Sequence, residues 1–137
     1  DRCGDVVDIY ERIGTSEKIL SEQAKEELEQ CVTIAEELFE QAITAVATDN
    51  VDQAEQVIQD KKRMRKAQKK STKKHLERLQ ENLCDPELTR AYSGILLNLD
   101  RVADNCTGIA EEALDRVTYV RFDTEENAQK NVIAANA

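Results

Sequence analysis

Apolar side chains recur through the first third of the chain at Val6, Ile9, Ile13, Leu20, Ala24, Leu28, Cys31, Ala35, Leu38, Ala42 and Val46. The steps are mostly threes and fours, the spacing of one helix face. The pattern predicts a first helix over 6–46. Gly14, Thr15 and Ser16 are where it would kink or change face, since glycine and short polar residues compete with helical backbone. Unbroken, a helix of roughly 43 residues would span roughly 65 Å, long enough to be shared by two bundles. Asp49 and Asn50 mark a turn. A second helix is expected over 51–84, with Ala54, Val57, Ile58, Met64, Ala67, Ser71, His75, Leu76, Leu79 and Leu83 inside. Asp85 then serves as N-cap with Pro86 at the first helical position. A third helix over 86–117 should bury Leu88, Tyr92, Ile95, Leu96, Leu99, Val102, Ala103, Cys106, Ile109, Ala110 and Ala113. In the tail, Asp123, Thr124, Glu125 and Glu126 look like a capping box for a short helix over 124–134, with 119–122 crossing the end of the bundle. The expected fold is all-α: an up-down-up three-helix bundle with a very long first helix and a short C-terminal tail helix.

Composition agrees with that pattern. The 137 residues suffice for one domain with a real core. Four Gly, one Pro, no Trp and 4% aromatics leave few helix breakers and few stacking platforms. A net charge of −9 argues against general nucleic-acid binding and against simple adhesion to anionic lipid, and is compatible with a cation-binding surface. Cys3, Cys31, Cys84 and Cys106 show no metal-ligand spacing and read as free, buried thiols in a reducing compartment. Neither a signal peptide nor a run of ~18 apolar residues occurs. The chain starts at Asp1, inside the expected first helix, and is read as a piece of something longer.

A degenerate repeat brings in chemistry. Residues 11–22 and 100–111 share an acid, an Arg, a branched aliphatic, a small residue, an aliphatic at the tenth position and a final Glu. The second copy holds Asp100 and Asp104 four residues apart, on one helix face. The first keeps Glu11 but has Thr15 in place of the second acid. Hard cations such as Mg²⁺, Ca²⁺, Mn²⁺ or iron want clustered oxygens. Asp100 and Asp104 offer part of such a shell, and Glu11 would complete it across the bundle. Glu111 and Glu22 lie one to two turns further along and are weaker candidates. The competing reading is an acidic stripe on a solvated helix, beside Arg101.

Lys61, Lys62, Arg63, Arg65, Lys66, Lys69, Lys70, Lys73 and Lys74 are nine of the 19 basic residues. They read either as a solvated face pairing with the Glu-rich first helix, or as a contact for anionic lipid headgroups or a partner's loops. Nucleic acid is disfavoured because no aromatic residue interleaves with them. His75, the one histidine, belongs at the edge of the inner face and has no nucleophile set around it. No glycine-rich phosphate loop occurs, and no enzymatic function is expected.

Three runs carry a family resemblance: His75, Leu76, Glu77, Arg78 and Leu79; then Cys84, Asp85, Pro86, Glu87 and Leu88; then Leu96 through Cys106, containing Asp100, Arg101 and Asp104. They resemble the PhoU-like domain at the C-terminal end of bacterial sodium/phosphate cotransporters, over about residues 5–116. PhoU-like proteins are repeats of three-helix bundles, with spectrin-like packing, whose acid-x-x-x-Asp motifs can bind metal. The resemblance implies that 1–22 end a preceding repeat, that 23–117 form a PhoU-like bundle, and that 118–137 are a tail. It implies a regulatory role in phosphate transport and a divalent or trivalent metal (Mg, Mn, Zn or Fe). It also implies a transmembrane partner in the parent protein, on the cytoplasmic side of the bacterial inner membrane, with the piece itself soluble. A homo-oligomer is a further expectation. Thr15 and Asn105, where the family has Asp and commonly His, each remove a potential ligand.

Overall fold

The computed structural model describes residues 2–14 and 20–136, with backbone alone at 14 and 119–122. The described residues are helical throughout apart from their links: α1 (Arg2–Gly14), α2 (Glu22–Thr48), α3 (Val51–Gln80) and α4 (Pro86–Ala135). The core rests on a repeat nearer 3.5 than 3.6 residues. In α2 the buried seam is Ala24, Leu28, Cys31, Ala35, Leu38, Ala42 and Ala45, with alternating steps of four and three. In α4 it is Leu88, Tyr92, Ile95, Leu99, Ala103, Cys106, Ala110 and Ala113. Such a period keeps one stripe facing its neighbours over many turns. The many alanines let the backbones approach closely.

Helices α2, α3 and α4 each pack against the other two. The link between α2 and α3 is two residues. Asp49 takes the left-handed conformation at φ 51° and Asn50 caps α3 by accepting a hydrogen bond from the Gln53 N–H at 3.0 Å. So short a link forces the chain to reverse. At this end Arg116 of α4 donates to the Val46 carbonyl at 2.9 Å and pairs with Asp49. At the other end Asp85 caps α4 through the Glu87 N–H at 2.9 Å, with Pro86 in the first turn, as the sequence predicts.

Three expectations are corrected. The very long first helix is two helices. Ser21 has extended backbone and accepts a hydrogen bond from the Ala24 N–H at 3.2 Å, so α2 has its own N-terminus. Among the described residues α1 packs on α4 alone: Ile9 and Ile13 share a cleft with Leu88, Ala91 and Gly94, and a side chain at Gly94 would meet Ile9 Cδ1 at 3.3 Å. Thr15 and Ser16, where the kink was expected, lie outside the described residues. The separate tail helix is likewise absent, because α4 runs unbroken for 50 residues. No Gly or Pro follows Gly108, so the capping-box residues sit inside a continuing helix. From Asp123 onward every described side chain is exposed, including Val132 and Ile133. The second helix is shorter than expected, ending at Gln80, with Asn82 left-handed in the following turn. Among the described residues no helix is long and apolar enough to cross a membrane.

Candidate functional site

The acidic pair lies in the first half of α4. Asp100 is half-buried, and its Oδ1 is buried without a hydrogen-bond partner. Asp104, one turn later, is exposed and pairs with Lys61 of α3. Glu11 is exposed on α1. Among the described residues no three His, Cys, Asp or Glu side chains gather to hold a metal ion. The structure therefore does not bring Glu11 onto Asp100 and Asp104 as one ligand set. Two carboxylates fall short of the six or more oxygens a hard cation collects, and one of them already faces an ammonium. A cation held here would draw its other donors from water or from outside the described residues. Glu22 is taken by Lys25 at 2.8 Å, and Glu111 is exposed.

The basic stretch divides into two groups. Lys61 pairs with Asp104, Arg63 with Glu37 at 3.0 Å and Asp60 at 3.8 Å, Lys74 with Glu27 at 3.5 Å, and Lys73 with Glu77 at 3.8 Å. Lys62, Arg65, Lys66, Lys69 and Lys70 are exposed and make no ion pair or hydrogen bond among the described residues. Pairing with the α2 acids thus occupies only part of the stretch.

At the α3–α4 turn the structure assembles a buried polar cluster that sequence reasoning missed. Arg78 donates two hydrogen bonds to Glu27, at 2.9 and 2.8 Å, and both residues are 7% exposed. Tyr92 donates its hydroxyl to the same carboxylate at 2.7 Å. The cluster ties α2, α3 and α4 together, and its fork-to-fork geometry is the strongest form of ion pair. Burial pushes the Glu27 carboxyl up, but the hydrogen bonds from Arg78 and Tyr92 and the charges of Arg78 and Lys74 outweigh it, leaving a net lowering. Burial and the Glu27 carboxylate push the Tyr92 phenol well above its usual range.

His75 belongs to this cluster rather than to the edge of the inner face. It is buried, stacks on Tyr92 with ring centres 4.4 Å apart, and meets Thr89 Oγ1 at 3.1 Å through Nε2. Burial and the nearby Arg78 charge lower its pKa. Leu76 and Leu83, expected inside, are 50% and 65% exposed. All four cysteines are free; Cys31 and Cys106 are buried, Cys84 is half-buried against His75, and Cys3 is exposed, against expectation. A signal for the cluster was present: Arg78 follows Ser71 by seven and His75 by three, in register with the seam, and Glu27 lies in the seam between Ala24 and Cys31.

These helices can be placed among known proteins. The PhoU domain family matches residues 28–113. That span is more than half of the chain, and the chain belongs to the PhoU family. The matched segment runs from within α2, through α3, to just past the middle of α4, and so contains Arg78, Tyr92 and the Asp100/Asp104 pair. No curated protein and no solved structure matches the chain.

Proposed function

We propose that this chain is an accessory, regulatory cytoplasmic domain of a sodium-dependent phosphate transporter. The carrying observation is the PhoU family match over three mutually packed helices, which suggests a regulatory role in phosphate homeostasis. The three helices are cross-tied by a buried polar cluster, as suits a rigid module that works by contact. In this reading the chain binds and regulates rather than catalyses. Its partners are the transmembrane part of the transporter and other copies of itself, at the cytoplasmic side of the bacterial inner membrane. Residues 1–22 close a preceding repeat. α1 supports this by packing, among the described residues, on α4 alone, as a helix contributed by a neighbouring bundle would. The test is deletion of 23–137 from the parent protein, followed by labelled-phosphate uptake in phosphate-rich and phosphate-starved cells. Altered uptake or altered response to phosphate is expected; unchanged transport and regulation reject the proposal.

The alternatives are a free-standing PhoU-type regulator that binds metal, and a helical interaction scaffold. One observation favours metal: the buried, unpartnered Oδ1 of Asp100 one turn before Asp104. Metal analysis of purified protein loaded with Mn²⁺, Fe³⁺, Zn²⁺ or Mg²⁺ tests this. Stoichiometric metal lost in Asp100→Ala and Asp104→Ala supports the metal reading. Equal metal content in both variants and the parent removes it.

A further inference from the structure

We propose that the outward face of α3, formed by Lys62, Arg65, Lys66, Lys69 and Lys70, is a docking surface for an anionic lipid bilayer. Of the nine basic residues in the stretch, these five are the ones left exposed without an acidic partner among the described residues. They fall within about 12 Å of one helix. No Asp or Glu occurs on α3 from 61 to 76, and the acids that approach from other helices, Glu27, Glu37 and Asp104, are already taken by Arg78 and Lys74, by Arg63 and by Lys61. The net charge of −9 belongs to other surfaces. Salt screens charges beyond about 8–10 Å, so a phosphodiester layer against this face meets the local cations and not the total.

The chemistry of the face favours lipid over an acidic protein. Four of the five residues are Lys, which protein interfaces deplete; Arg and large aromatics, which they enrich, are represented by Arg65 alone. A shallow groove on α3 itself is lined by Gln68, Lys69, Thr72, Lys73 and Leu76. Leu76 stands half-exposed there, seven residues after Lys69 and so on the same side of the helix. A row of long flexible cations with an apolar side chain at one end suits a fluid anionic surface with an apolar layer beneath. This surface does not depend on the transporter assignment, since a free-standing regulator would carry it equally.

Co-sedimentation of the purified chain with vesicles of phosphatidylglycerol or of phosphatidylcholine tests the proposal. Binding to phosphatidylglycerol at least ~10-fold tighter than to phosphatidylcholine, and weakening as salt rises, is expected. The variant Lys62→Glu, Lys66→Glu, Lys69→Glu should lose it while keeping its helical circular dichroism and melting temperature. A control with Arg63→Gln and Lys73→Gln, which alters paired cations, should keep most of it. Leu76→Ser should weaken binding less than the triple reversal. Equal partition into both vesicles, or full binding by the triple variant, overturns the proposal. Displacement by inorganic phosphate but not by chloride at the same ionic strength overturns it in favour of a free anion. Retention of poly-glutamate without vesicle binding overturns it in favour of an acidic protein.

Discussion

Helix α3 carries the same kind of charge in two different settings. Near its C-terminus Arg78 is 7% exposed, forked onto Glu27 and touched by Tyr92. Two to four turns earlier, Lys62 to Lys70 include five cations that are exposed and unpaired among the described residues. Only their phase on the helix differs. Arg78 falls on the stripe that runs Ala54, Val57, Met64, Ser71 and His75, and therefore enters the core, where a charge survives only with a partner. The five cations fall off that stripe, where water solvates them and a partner adds little. A charged side chain here acts as structure or as contact surface according to its register.

The largest break in this comparison should come from removing one half of the buried pair. Arg78→Ala is expected to destabilise the chain by about 3–5 kcal/mol in urea unfolding, because it strands the Glu27 carboxylate. Glu27→Leu with Arg78→Met should recover most of that loss, since apolar groups of similar size need no partner. A double mutant as unstable as the single would show that packing rather than the stranded charge is responsible. Tyr92→Phe comes next, at about 1.5–3 kcal/mol for one hydrogen bond to a charged acceptor.

Acidification should weaken the buried end and leave the basic face untouched. His75 has a folded pKa below its ordinary 6.5, so the unfolded chain takes up its proton first. Its contribution is complete above 6.5 and is lost as the pH falls from there through the folded value. Glu27 acts in the same direction lower down, from 4.5 through its lowered folded value. His75→Gln should flatten stability against pH just below 6.5 while leaving the carboxylate slope in place. An unaltered profile by thermal melts would remove His75 from the cluster's energetics. The smallest effect belongs to the exposed cations: Lys62→Gln, Lys66→Gln and Lys69→Gln should each change stability by less than about 0.5 kcal/mol in the same urea assay.

Much of the fold was legible because it rests on period and punctuation. The apolar spacing located the three long helical stretches, and Asp49 with Asn50 and Asp85 with Pro86 marked their turns. The mistakes have physical sources. Leu76 and Leu83 read as inside together with Ser71 and His75, yet the stripe on α3 follows a period nearer 3.5 that keeps Ser71 and His75, adds Arg78 and leaves Leu76 out, while Leu83 lies beyond the end of α3. The break between α1 and α2 was hidden because the residues on both sides keep helical spacing; what separates them is that α1 finds its apolar partner on α4. Glu27 and Arg78 were invisible as a pair because 51 positions lie between them.

By itself the sequence determined that the chain is helical, where most of its turns lie and which acids and bases are available, since backbone propensity, capping and periodicity act within a few residues. Only the tertiary structure decided which charges are neutralised and which are left for another molecule. Ion pairs between helices depend on rotation and register across the bundle, and those are set by the packing of every seam residue at once.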